Sequence, residues 1–411
     1  MKRTFILSFS AIMLIATSCR EHGVELMNPT TISYNLPSEQ FEAIWHGINN
    51  GYAFWDIDPT NWDSLYTVYH PRFEALDTLV KNDESISTQT LREYYTDICG
   101  KFIDHHMRVT IKNIWSDTDD AKTNTIYIQP GLLEAQKRPY YRIPTTLTDS
   151  LLLNCIMNMD NKKGAFAGSD ENGEYRSALA CNFDGIAYFK LSGYILTEAF
   201  HASDSFSIRI QNVYRQFYEW CTADDLKGII IDNRGNMGGY ISDMNYVVAP
   251  FLQSDLQLGE TRRKEGLGRY DYTPWVPLII KKTKPLEDVD SIGEITVPIV
   301  ALADLWSVSM GEMTSKAISM MPNGCIIGER TFGGHGPLFY DFEINYAGPY
   351  VAKSHEVYSS SDMLRDADGS ITEGIGYTPT YEVLYDEEQM RAGVDVQLNA
   401  AINYIKTGKI E

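Results

Sequence analysis

Three short stretches combine residue types and spacings suited to acyl transfer. The first is Gly228-Ile229-Ile230-Ile231-Asp232-Asn233-Arg234-Gly235-Asn236-Met237-Gly238-Gly239. An apolar run enters a glycine-rich turn, and glycines there let backbone N–H groups converge on an anion, as an oxyanion hole requires. The closing Lys-Ser/Thr of a phosphate loop is missing. A tight turn with no chemistry fits the stretch equally well. The second is Ala303-Asp304-Leu305-Trp306-Ser307-Val308-Ser309-Met310-Gly311-Glu312. A serine at a strand-to-helix junction offers its hydroxyl where the helix dipole favours a negative intermediate. Taken alone, it also reads as a common N-cap. The third is Gly328-Glu329-Arg330-Thr331-Phe332-Gly333-Gly334-His335-Gly336, with Glu373-Gly374-Ile375-Gly376-Tyr377-Thr378-Pro379 downstream. These loops either bring His335 and Glu373 to a nucleophile or are two surface turns.

Each stretch needs a strand end to hold it, and the flanking pattern supplies one. Ile186–Leu191, Gly228–Asp232 and 299–304 are strand-like apolar runs, while Ser205–Cys221 and 310–321 carry helical spacing. That rhythm predicts an α/β core over 184–405 with much parallel sheet, whose sites lie at the strand ends. Residues 254–297 read as a polar loop or lid. Upstream, Phe41, Ile44, Trp45 and Ile48, then Leu76, Leu79 and Val80, mark an N-terminal helical domain over 39–113. Residues 114–183 alternate short apolar stretches (Thr125–Ile128, 150–157) with polar turns and read as a small β-rich unit.

In this order, the three stretches resemble the C-terminal processing, or tail-specific, serine protease family, whose relatives include the tricorn protease core and retinoid-binding-protein repeats. The Arg-Gly-Asn-x-Gly-Gly turn, the Ser-x-Ser-x-x-Glu helix start, the Gly-Glu-Arg-Thr-Phe-Gly-Gly loop and the Glu-Gly-x-Gly-x-x-Pro stretch carry the likeness. Phe41 to Ile48, Trp62-Asp63 and Asp104-His105-His106 resemble motifs of the family's helical domain. The resemblance implies a crotonase-like core and a peptide or unfolded protein as substrate. It places the nucleophile on Ser309 and the oxyanion hole on the backbone N–H groups of Gly238, in preference to Gly239, and of Met310. The tail-specific branch takes its base from a Lys in Phe-Gly-Lys-Gly, and here that position is Gly334. The tricorn branch uses a His on an early core strand together with a Glu that aligns with Glu373; at the His position this sequence has Lys190. Three readings stay open. Lys190 is the base, oriented by Glu373; His335 is the base; or catalysis is lost and the cleft binds peptides or small ligands. His105 and His106 fall on a site read as structural packing. No carboxylate-binding loop of the PDZ type is evident, so the β-rich unit reads as a reduced PDZ-like one.

Lys2 and Arg3 precede an apolar run over 5–16 that ends in Ala16-Thr17-Ser18-Cys19. This reads as an export signal over 1–18 with a lipobox-like close, making Cys19 a lipid anchor and 19–38 a tether. With the family resemblance, it implies an exported lipoprotein of the Bacteroidetes type, held in the cell envelope at the outer membrane or periplasm through that anchor alone. The chain has 411 residues and a formal net charge of −20, from 35 Lys+Arg against 55 Asp+Glu. That balance argues against nucleic acid, whose phosphates call for clustered cations. The remaining cysteines, Cys99, Cys155, Cys181, Cys221 and Cys325, form no CxxC pair and read as small buried residues. No cofactor motif or metal-ligand spacing is evident, so neither a cofactor nor a metal is expected.

Overall fold

The computed structural model describes residues 33–411 apart from 119, 145–148, 160–161, 170–176, 267 and 339–349. The expected signal, Cys19 and most of the tether lie outside the described residues. The chain forms two compact units. One comprises the segments up to Leu133, Arg262–Trp275 and Gly336–Met363; the other comprises Glu134–Thr261, Val276–His335 and Leu364–Glu411.

In the first unit, helices Pro37–Gly51, Trp62–Lys81 and Thr88–Cys99 surround an aromatic core. Phe41, Ile44 and Ile48 recur at helical spacing and are buried, and Phe41 stacks on Phe73 with ring centroids 4.6 Å apart. A four-stranded sheet completes the unit, in the order Tyr350–Val351, His355–Tyr358, Arg108–Lys112, Thr125–Ile128.

The second unit is built on a seven-stranded sheet. Its strands are β1 (Lys162–Ser169), β2 (Ser177–Phe183), β3 (Ile186–Leu191), β4 (Gly228–Asp232), β5 (Ile299–Ala303), β6 (Gly324–Gly328) and β7 (Tyr381–Glu382). They lie in chain order across the sheet, parallel from β3 to β7 and antiparallel from β1 to β3. Strands β3, β4 and β5 are buried at every position. Both faces are covered, which is why they read as unbroken apolar runs. Ala187, Phe189, Ile229, Ile231 and Ala301 pack with helices α2 (Ser205–Cys221) and α3 (Met310–Ser319). Ile186, Tyr188, Ile230, Val300 and Leu302 pack with helices α1 (Asp149–Asn158) and α4 (Val396–Thr407).

The structure corrects the expectation for 114–183. No separate β unit forms there among the described residues. Thr125–Ile128 joins the sheet of the first unit, β1 and β2 extend the core sheet, and 150–157 is helical. Its Leu152 and Ile156 stand four apart and fill one helix face, a period too short to recognise in an apolar run of this length. The core sheet therefore begins before residue 184. The expected loop over 254–297 contains two antiparallel strands, Leu256–Arg263 and Val276–Ile280, with Leu256 opposite Ile280. The five cysteines are all buried, and no disulfide forms among the described residues. No helix among them is long and apolar enough to cross a membrane.

Candidate active site

Parallel strands β4 and β5 end side by side, with Asp232 opposite Leu302, so the turns that follow them meet. Side chains lace these turns together. Asp304 Oδ1 accepts the N–H of Gly235 and of Trp306, each at 3.0 Å. Ser307 Oγ donates to the Asn233 carbonyl at 2.8 Å, and the Val308 N–H donates to the Asn236 carbonyl at 2.9 Å. This delivers Ser309 to the N-cap of α3 with φ 56° and ψ −117°. A non-glycine residue in that region carries strain of about 1–3 kcal/mol and persists only where its surroundings hold it.

Gly238 lies directly against Ser309. A Cβ on Gly238 would stand 2.6 Å from Ser309 Cβ, 3.0 Å from its Oγ and 3.2 Å from the Met310 N, and its φ is +103°. Only glycine suits this close approach. The structure thus brings Ser309, Gly238 and Met310 together. The Gly238 N–H, however, donates to Asn236 Oδ1 at 2.8 Å, whereas the Gly239 N–H has no partner among the described residues. The neighbouring Tyr194 N–H and carbonyl bond to Gly238 O and Tyr240 N, which leaves the Gly239 amide on the opposite edge of the segment.

The loop after β6 is held to the same helix start. Glu312, fully buried, receives Thr331 Oγ1 (2.6 Å) and the Gly333 N–H (2.7 Å) on Oε1, and the N–H groups of Gly334 (2.8 Å) and Ser309 (3.3 Å) on Oε2. The Ser309 N–H also donates to the Gly334 carbonyl at 2.8 Å. Burial pushes the Glu312 carboxyl up to about 7, against the opposing pull of those four donors.

His335 and Glu373 are brought together. The His335 N–H donates to Glu373 Oε2 at 3.0 Å, its Nδ1 lies 3.8 Å from the same oxygen, and its Nε2 is 3.2 Å from Thr372 Oγ1. The ring stacks on Tyr377 with centroids 5.3 Å apart. Neither His335 nor Lys190 is hydrogen-bonded to Ser309 Oγ.

Lys190 sits elsewhere. It lies opposite Leu179 and Asp232 on the neighbouring strands, and Leu179 packs on the face covered by α1 and α4, whereas α3 covers the other face. Its Nζ donates to the Arg234 carbonyl. Strand alternation therefore puts Lys190 on the sheet face opposite α3, where its amine is engaged by the Arg234 carbonyl. The residue belongs to a buried cluster in which Arg234 bonds Asp232 (Nη2 to Oδ2, 2.6 Å), Asp395 (2.8 Å) and Gln397 (3.0 Å), while the Tyr188 hydroxyl donates to Asp232 at 2.7 Å. Burial alone would raise the Asp232 carboxyl, but Arg234 and then Lys190 hold it down to about 2.

Two arginines were not anticipated. Arg138 donates to the carbonyls of Arg330, Thr331, Phe332 and Ile375, which fastens the loop after β6 to the Glu373 segment. Arg142 binds Glu329 and Asp304, each at 2.7 Å. Their sequence context, Arg138-Pro139-Tyr140-Tyr141-Arg142, gives no sign of partners about 190 and 160 residues away. In the first unit, Asp104 accepts the Ser360 N–H at 2.7 Å, and His106 Nδ1 lies 2.9 Å from the Gly336 carbonyl. Burial pushes His106 down to about 4. Among the described residues, no group of three or more His, Cys, Asp or Glu is placed to hold a metal.

A serine at a strand-to-helix junction, facing a glycine turn and a glycine loop, is an arrangement for acyl transfer. Residues 190–383 match the family model Peptidase family S41, a span covering both turns, α3 and the Glu373 segment. Residues 190–383 form a Peptidase S41 domain. The chain is therefore a serine-type peptidase. Solved structures share the fold of this chain. A Parabacteroides merdae protein assigned as a peptidase is 19% identical, with a TM-score of 0.62, over 90% of this chain and 97% of that one. Mature CPAF complexed with lactacystin is 11% identical with a TM-score of 0.51, over 91% and 97%. A CPAF serine-to-alanine mutant is 10% identical with a TM-score of 0.53, over 90% and 98%. No curated protein sequence matches the chain.

Proposed function

We propose that the S41 core hydrolyses peptide bonds by attack of Ser309 Oγ on the scissile carbonyl. The observation carrying this reading is the approach of Gly238 to Ser309, which a single added carbon would block. Met310, the first residue of α3, presents an N–H that bonds no carbonyl among the described residues, at the positive end of the helix dipole. That N–H and one from the Gly238-Gly239 turn receive the oxyanion. Gly239 is the open donor, and Gly238 serves only if Asn236 releases it. Such donors act on charge that develops in the transition state.

His335 takes the Ser309 proton in this reading, with Glu373 orienting it. Support comes from the loop itself: the Gly334 carbonyl is bonded to the Ser309 N–H, and Glu373 holds the next residue. The ring must turn from Thr372 toward Ser309 when substrate binds, as catalytic hydrogen bonds often tighten only in the complex. Met237, Tyr240 and Ile241 flank the glycine turn and are about half exposed, which suits apolar side chains of a peptide substrate. The enzyme works as an exported protein, anchored through Cys19. Labelling with a serine-reactive phosphonate tests the nucleophile: wild type reacts and Ser309→Ala does not. Equal labelling of both overturns the assignment, and wild-type protein that binds peptides without cleaving them favours a binding lipoprotein.

A further inference from the structure

We infer that Glu312 is a positioning residue of the S41 site, fastening the 331–334 loop to the backbone of the nucleophile. The inference rests on Ser309 being that nucleophile. Four donors converge on the two carboxylate oxygens: a hydroxyl and two amides from the loop, and the amide of Ser309 itself. Among the described residues no cation forms an ion pair with Glu312, so hydrogen bonds, the dipole of its own helix start and the more distant attraction of Arg138 carry its charge.

All of these partners are donors. A proton on either oxygen would face an N–H or O–H rather than an acceptor, and one fastening would be lost. The ionised carboxylate is thus the form that clamps. Other charged or titratable groups face this point from each packed element. Arg138 binds the Thr331 and Phe332 carbonyls. Tyr377 donates its N–H to Thr331 Oγ1, and its ring lies under Lys316, which pairs with Asp366. His335 follows Gly334 and is bonded to Glu373. The carboxyl, raised to about 7 by burial, changes charge near neutrality, so acid releases the loop and alkali tightens it.

Glu312→Gln keeps the shape but turns an NH₂ donor toward one pair of donors, either Thr331 Oγ1 and the Gly333 amide or the Gly334 and Ser309 amides. Thr331→Val removes one donor to the carboxylate and leaves every atom of the proposed reaction in place. Both variants and Ser309→Ala are assayed on an unstructured peptide across pH 5–9, with thermal melts as a fold control. Glu312→Gln should melt like wild type, lose about tenfold or more in kcat with KM little changed, and have no acid limb assignable to this carboxyl. Thr331→Val should move that limb to higher pH, because the charged form has lost a donor; a limb set by the His335 imidazole would stay in place. A Thr331→Val limb that does not move, or a folded Glu312→Gln with wild-type kcat, overturns the inference. If Glu312→Gln fails to fold, the Thr331→Val profile alone decides. Retained activity in Ser309→Ala would instead sink the nucleophile, a distinct failure.

Discussion

Replacing Gly238 by alanine tests the geometry of the site most directly. The new Cβ would stand 2.6 Å from Ser309 Cβ, whereas ordinary contacts begin near 3.4 Å. Relief requires the turn or the serine to move by most of an ångström. A misplacement of about 1 Å at reacting groups costs about 10²-fold in rate. The φ of +103° adds backbone strain of about 1–2 kcal/mol for a residue with a Cβ. Gly238→Ala should therefore fold with a melting temperature a few degrees lower, and kcat/KM on an unstructured fluorogenic peptide should fall about 100-fold. Gly369→Ala is the matched control. Its φ is +84° with no atom within 4 Å of the added carbon, so it carries the strain without the collision. That variant should lose similar stability and keep wild-type kcat/KM. A Gly238→Ala protein within threefold of wild type in kcat/KM would refute the reasoning, since Ser309 could not then be both the nucleophile and in contact with this turn.

The base assignment predicts that His335→Ala loses about 10²-fold or more in kcat, whereas Lys190→Met loses stability and retains a wild-type acid limb in its pH–rate profile. Asp395→Ala leaves the buried Arg234 with one carboxylate fewer, and unfolding experiments should register about 3–5 kcal/mol. The depressed Asp232 carboxyl contributes stability that is fully present above its unfolded value of 3.8 and lost as pH falls toward about 2; chemical denaturation across that window should show roughly 2 kcal/mol that is absent in Asp232→Asn. Fatty-acid labelling of cells expressing the full chain should be lost in Cys19→Ala.

The sequence patterns that proved informative were local ones. Strands β3 to β5 were visible because burial on both faces leaves only apolar side chains, and their ends announced the turns that meet at Ser309. The Ser309-x-x-Glu312 spacing is legible as a capping box, but its use here is not. The box predicts a bond from Glu312 to the Ser309 N–H, whereas three of the four donors come from a loop about twenty residues on. Helix α1 escapes sequence reading because the short, mostly apolar stretch 150–157 flanked by polar turns suits a strand as well as a helix. Arg138 was silent for a different reason. It binds four backbone carbonyls, and a carbonyl is present whatever the residue.

Lys190 shows how far such reading depends on the direction of a side chain. In a half-exposed strand the polar positions mark the solvent face, so the direction of a charged side chain can be inferred from its neighbours. Strand β3 reads Ile-Ala-Tyr-Phe-Lys-Leu and is buried throughout, so its sequence carries no parity marker. In sequence, position 190 looks as close to the glycine turn as position 189 or 191. The structure assigns the odd positions to the face of α2 and α3, with Ala187, Phe189 and Leu191 in one cluster, and places Lys190 with Asp232 across the sheet from the helix that begins at Ser309. A single step along the strand thus decides which face of the sheet the amine occupies, and here it holds the Arg234 carbonyl. The distinction became accessible only through partners on β2, β4 and α4, all distant in sequence.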